Sequence, residues 1–162
     1  MVKVARVLLF SAASAIVLTG TADASEGLLG CYARTYDAAH MRNNRSQQVR
    51  RLWLHVGVSR YDAGKMEFGL NVWVRGKPQI WRAGGLCEPD ANSWRCRPDT
   101  DGASELLITL KGASMHLSNP GRLKISDDET GPDLNDMLLG PPGDSLFVLQ
   151  RARDIVCKRA RS

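Results

Sequence analysis

Between residues 51 and 75 the side chains alternate with a period of two. Leu52, Leu54, Val56 and Val58 interleave with Arg51, Trp53, His55 and Gly57. After Tyr61-Asp62-Ala63-Gly64, residues Met66, Phe68, Leu70, Val72 and Val74 interleave with Glu67, Gly69, Asn71, Trp73 and Arg75. Successive side chains of an extended chain point to opposite faces, so this stretch makes two strands, each with one apolar face. Tyr61-Asp62-Ala63-Gly64 is the turn that joins them. On a helix the same residues would be scattered around the circumference. Two strands alone cannot bury their apolar faces, so the rest of the chain must cover them.

The rest of the chain is read as further short strands. Gly76-Lys77 turns into a third strand over residues 79–86, and a fourth lies near residues 94–97. Leu106, Ile108 and Leu110 mark a fifth, Met115 and Leu117 a sixth, and Leu123 and Ile125 a seventh. Residues 146–150 make the eighth. Pro98-Asp99-Thr100-Asp101-Gly102, Lys111-Gly112 and Asn119-Pro120-Gly121 separate them with turn chemistry. Helix is expected only as single turns, at residues 36–41 with Asp37 as a cap and at residues 154–158. Residues 127–144 carry Gly131-Pro132 and Gly140-Pro141-Pro142-Gly143 and read as one long loop. Only Leu134, Met137, Leu138 and Leu139 pin it, so it is expected to be the most mobile ordered segment. Eight short strands between turns predict an all-β fold, a small antiparallel barrel or sandwich.

The first residues read as an export leader. Lys3 and Arg6 precede a twelve-residue apolar run from position 7 to 18, and Ala22-Asp23-Ala24 supplies small residues at a cleavage point. The run falls short of the roughly 20 residues that a membrane-spanning helix needs. The expected organisation is a cleaved signal peptide at 1–24 and a single β domain at 25–162, periplasmic or secreted, with no transmembrane anchor. Lipidation at Cys31 is not expected, because Asp23 and Glu26 separate it from the apolar run and an odd number of cysteines would remain. The chain carries 22 basic and 17 acidic residues. The leader holds two of the basic and one of the acidic, which leaves the remainder at +4.

Four cysteines follow the leader: Cys31, Cys87, Cys96 and Cys157. An even count in an exported chain argues for disulfides. Pro89-Asp90-Ala91-Asn92 is a turn sequence that sets Cys87 opposite Cys96 on a hairpin, and this leaves Cys31 to pair with Cys157. A chain-entropy estimate gives about 2.5–3 kcal/mol for the short loop and about 5 kcal/mol for the long one. A four-cysteine metal site would need close C-x-x-C pairs, which the chain lacks.

The layout also resembles small exported bacterial β proteins of uncharacterised function. Cys31-Tyr32, His40-Met41, Gln48-Val49, Trp81-Arg82 with Cys87, Cys96 followed by Asp99-Thr100-Asp101-Gly102, and Phe147-Val148-Leu149 carry that resemblance. It implies an exported β domain and no particular activity. At the level of fold alone, the pattern is also similar to the compact barrels of periplasmic lysozyme inhibitors.

Catalytic motifs do not appear. There is no Gly-x-Ser-x-Gly elbow, Gly-rich phosphate loop or H-E-x-x-H helix. His40, His55 and His116 share no metal-ligand spacing, and the disulfides consume the thiols. Two acidic clusters have oxygens suited to calcium: Asp99, Asp101 and Glu105, and Asp127, Asp128, Glu129, Asp133 and Asp136. Both read more simply as turn acids that bond their own backbone, so no metal or other cofactor is expected.

The strand register yields a candidate binding face. A two-residue turn at Gly76-Lys77 sets Trp73 opposite Ile80 and Asn71 opposite Arg82. Arg51, Trp53, Trp73, Arg75 and Arg82 then share the face away from Leu52, Leu54, Phe68, Leu70, Val72 and Trp81. Indole rings beside guanidinium groups suit an anionic sugar polymer, by stacking and charge-assisted hydrogen bonds. The competing assignment covers the rings with residues 31–47 or with the tail, as a minor core. The expected function is a non-catalytic binding or interaction module of the envelope, with an envelope component, protein or anionic glycan as partner. Alternatives are an inhibitor of a secreted hydrolase and, from a different class, a small hydrolytic enzyme. Nucleic acid fits the charge but not the compartment.

Peptide mapping of the exported protein without reductant is expected to find Cys87 linked to Cys96 and Cys31 to Cys157, with no titratable thiol. A Cys31–Cys87 peptide would overturn the pairing.

Overall fold

The computed structural model describes residues 27–127 and 136–158. The leader at 1–24 lies outside the described residues, as do Asp128, Glu129, Asp133 and Leu134. The chain runs through β1 (Gly30–Thr35), α1 (Ala38–Asn43), β2 (Val49–Val58), β3 (Met66–Val74), β4 (Ile80–Asp90) and β5 (Ser93–Pro98). It continues through β6 (Leu106–Lys111), β7 (Ser114–Ser118), β8 (Leu123–Asp127), β9 (Asp136–Leu139), β10 (Leu146–Ala152) and α2 (Asp154–Lys158). Each strand from β1 to β7 pairs antiparallel with a neighbour in the ring, β7 pairs with β10, and β10 returns to β1. The fold is therefore a closed eight-stranded antiparallel barrel. β8 and β9 form an extra hairpin, attached where Trp81 and Arg82 of β4 face Asp127 and Ser126.

The alternation read in the sequence is the inside-outside alternation of the barrel wall. Leu52, Leu54, Val56, Phe68, Leu70, Val72 and Trp81 are all at most 4 % exposed. They meet Ile108, Met115, Leu117, Phe147 and Leu149 from the opposite wall. An eight-stranded barrel has an interior that side chains just fill, and each aliphatic chain buried there contributes about 1.5–3 kcal/mol. The register at the β3–β4 turn is the one expected, with Trp73 opposite Ile80 and Asn71 opposite Arg82.

Both disulfides pair as expected. Cys87 and Cys96 are direct cross-strand partners on β4 and β5, and Cys31 is joined to Cys157. The hairpin turn is tighter than the four-residue sequence suggested. β4 continues to Asp90 and β5 begins at Ser93, and Ala91 takes a positive φ of 50° to make the reversal. α1 also forms, two residues further on than the sequence indicated. The Asp37 carboxylate accepts the His40 N–H at 2.7 Å and caps it.

Two strands were not anticipated. In β1 both Cys31 and Tyr32 are buried, so no alternation shows. Tyr32 points inward beside Leu54, while Cys31 points outward and is covered by α2 through its disulfide. The long loop expected over 127–144 also needs correction, because residues 136–139 form β9 along β8. Beyond β9 the chain is bolted down. The Asn119 amide donates to Leu139 O at 3.0 Å and to Asp144 O at 3.1 Å. Asp144, fully buried, accepts the backbone N–H groups of Gln48 and Val49 at 3.1 Å. The pattern hid this because side-chain to backbone bonds, rather than an apolar face, hold the segment. Among the described residues no helix is long and apolar enough to cross a membrane.

Burial lifts the Asp144 carboxyl above the usual Asp range, against the opposing pull of the Val49 and Gln48 N–H groups and Arg75. The folded protein thus holds this proton more tightly than the unfolded chain. The contribution of Asp144 to stability is complete below the unfolded pKa and is lost as pH rises through the folded one. Denaturant titrations across that window are expected to show wild type losing stability relative to Asp144→Asn as pH rises. A shift the other way would mean that the N–H groups and Arg75 outweigh desolvation.

Candidate functional site: the outward face of β2, β3 and β4

Strand parity on the closed wall decides which side chains meet outside it. From β2 come Arg51, Trp53, His55 and Gly57; from β3 come Glu67, Gly69, Asn71 and Trp73; from β4 come Ile80, Arg82, Gly84 and Leu86. Trp73 faces Arg51 across one ladder, and Trp53 faces Asn71 one step along. The two indoles lie on a diagonal, within the reach of aromatic side chains. Their ring centroids are 4.4 Å apart with planes inclined at 59°. Both are half-buried, while Leu54 and Val72, on the other side of the sheet, are buried completely.

The cations around the rings play different parts. The Arg51 guanidinium stands 5.5 Å from the Trp73 ring centroid, within cation–π range. Arg82 donates through Nε to Asn71 Oδ1 at 3.2 Å, which fixes its stem over the middle of the sheet. Arg75 is placed differently. It follows the last residue of β3, where parity no longer sets direction, and its Nη2 donates to Met41 O at 2.8 Å and Asn44 O at 3.2 Å. It ties the end of α1 to the barrel. Four of the five residues read from the sequence therefore belong to one patch, and Arg75 braces its border.

The segments beside this face make contacts of their own. α1 stacks His40 on Tyr36 at 4.5 Å, with Arg34 5.1 Å from the Tyr36 ring. His40 Nε2 pairs with Gln47 Oε1 at 2.9 Å. α2 packs on β1 and the neighbouring part of β2, where Cys157 approaches Leu54 O. Neighbours of Trp53 across the β1–β2 ladder are small, Ala33 directly opposite, which leaves the ring a flat border.

The remaining candidates are dispersed. His40, His55 and His116 lie on α1, β2 and β7. Glu105 is engaged by Arg97 Nε at 2.9 Å and by Arg95 at 3.8 Å, in an exposed cross-strand network with Glu88 and Asp90. Asp136 is bound by Lys124 Nζ at 2.7 Å and by Ser126 Oγ at 2.7 Å, and both contacts hold its carboxyl below the ordinary range. Asp127 is buried and accepts from Gln79 Nε2 at 3.4 Å. Among the described residues no three His, Cys, Asp or Glu side chains converge on a metal position.

No protein family model, curated protein or solved structure matches the chain.

Two indoles this close couple electronically. The circular dichroism spectrum of the native protein is expected to carry an exciton couplet. Trp53→Phe and Trp73→Phe should each abolish it, while Trp94→Phe should leave it. A couplet that survives both single substitutions would remove the ring pair.

Proposed function

We propose that the protein is a non-catalytic binding module of the bacterial envelope that holds an anionic glycan against the outward face of β2, β3 and β4. One observation carries this reading: two partly buried indole rings in contact, with a guanidinium beside them, on a wall whose other side is solid core. A sugar ring presents an apolar face that stacks on indole, and its carboxylate or sulfate accepts charge-assisted hydrogen bonds from Arg51 and Arg82. The positive balance of the chain favours such a partner over a neutral one. Placement in the envelope rests on the leader pattern and on the disulfides.

The reading requires stacking as well as charge, and a matched pair of columns separates the two. Trp53→Ala with Trp73→Ala leaves the net charge unchanged. The variant is expected to lose retention on immobilised polygalacturonate while eluting with wild type from a plain cation exchanger. Removing a stacked ring costs on the order of 1–2 kcal/mol, or tenfold or more in affinity. Unfolding of the variant would mean that the rings are core. Unchanged retention in a folded variant would mean that charge alone does the binding.

A further inference from the structure

Beside the ring pair, the same face is missing side chains. Gly69 of β3 lies between His55 of β2 and Gly84 of β4, and Gly57 is one outward position along β2. A Cβ at Gly69 would meet nothing within 4 Å, and at Gly84 the nearest atom would be Phe68 O at 3.5 Å, an ordinary contact. Neither residue has a positive φ. Packing and backbone geometry therefore do not call for glycine here. At the adjacent Gly85, by contrast, a Cβ would run into the Arg97 carbonyl. Glycine in a strand interior weakens the strand, through backbone entropy and the lost cross-strand contact. Such a residue often marks a bulge, a bend in a barrel wall or a place where another molecule approaches the backbone closely; the β3–β4 ladder passes Gly69 and Gly84 with no bulge.

The missing side chains open a concavity of about 540 Å³, with His55, Gly57, Arg60, Tyr61, Glu67 and Gly69 among its lining. Its outer end is a loop fixed by side-chain bonds. Ser59 Oγ donates to Glu67 Oε1 at 2.9 Å and accepts the N–H groups of Tyr61 and Asp62 at 3.2 and 3.1 Å. The same Glu67 oxygen accepts the Arg60 N–H at 3.0 Å. This rigid loop holds the Tyr61 ring 93 % exposed. A loop backbone fixed in this way has less freedom to lose when a partner meets the ring it carries.

We propose that the concavity continues the Trp53–Trp73 platform. Together they make one groove in which a linear anionic polysaccharide lies along β3, from the ring pair, over the glycine floor, to Tyr61. This proposal rests on the glycan reading above. From Trp73 to Glu67 the strand covers about 20 Å, room for several sugar rings in line. Arg51, Arg82 and Arg60 are distributed along that path. The acid on it, Glu67, accepts the Ser59 hydroxyl and the Arg60 backbone N–H through one oxygen and stays ionised, one negative charge against the three guanidinium groups along the path. His55 and Asn71 lie between the aromatic ends. An added β-strand does not suit the face, because β2, β3 and β4 are each paired on both edges beside the groove.

Gly69→Val tests the floor without harming the wall. A Cβ there meets nothing within 4 Å and a β-branched residue suits a strand, so the melting temperature should hold or rise. Oligogalacturonides of two and of eight units, measured by calorimetry, are the probes. Wild type is expected to bind the longer chain at least tenfold more tightly. Gly69→Val should keep the affinity for the short chain and lose that gain, and Tyr61→Ala should lose part of it. Should Gly69→Val not fold, Gly69→Ala makes the same test with a smaller loss. An equal gain in folded Gly69→Val, or no gain in wild type, would overturn the groove; the ring-pair reading would survive if Trp53→Ala with Trp73→Ala still abolished binding of the short chain. If wild type binds neither length, the groove and the glycan reading fall together.

Discussion

β1 is the strand through which the ring closes. It pairs with β2 over Gly30–Thr35 on one side and with β10 on the other. Without it both neighbours would present an open edge, which invites pairing with other chains. The strand is short and has weak strand chemistry of its own, since only Tyr32 among its inward positions is a large apolar residue. What holds it is the Cys31–Cys157 bond, which ties the strand to α2 across 126 residues of sequence. Restricting an unfolded chain over so long a loop is worth about 5 kcal/mol in the chain-entropy picture. That is comparable with the whole net stability of a small domain, about 5–15 kcal/mol. Arg151 adds to the closure, with its Nη2 donating to Leu29 O at 2.9 Å.

Closure in turn makes the outward face of β2, β3 and β4 a rigid surface. Strands paired on both edges cannot twist independently, so the diagonal between Trp53 and Trp73 is fixed by the ladder rather than by the rings themselves. The packed interior behind them, with Leu54, Leu70 and Val72 at most 1 % exposed, keeps the wall from yielding. Binding groups set on such a wall lose little freedom when a ligand arrives. The two pieces of irregular chain flanking this face are braced as well. Ser59 and Glu67 hold the β2–β3 loop, and Arg75 holds the end of α1. Buried polar bonds centred on Asp144 and Asn119 fasten the stretch between β9 and β10 to the start of β2, beside Arg75.

Alternation fixes what one strand does on its own, and the wall from β2 to β7 was legible from it. So were both disulfides, because a turn between Cys87 and Cys96 leaves one partner for Cys31. The ring pair was legible for the same reason: odd positions on two strands joined through a known register must share a face. Arg75 was misplaced, because parity holds only inside a ladder and that residue lies one past its end. β1 and β9 were invisible. Cys31 and Tyr32 are buried on opposite faces by different elements, and β9 has four residues with only Leu139 fully buried. Burial of that kind is conferred by distant partners and leaves no period in the local sequence.

By itself, then, the sequence determined that the chain is all-β, which face of each long strand is apolar, and which cysteines join. These properties follow from local geometry, two residues per repeat and one turn at a time. Only the tertiary structure decided that the sheet closes, that the tail helix lies over β1, and that Gly69 meets Gly84 on an open surface. Closure and coverage depend on contacts between residues far apart in the chain. Whether a glycine is needed depends on the atoms around it, and those are known only once the strands are side by side.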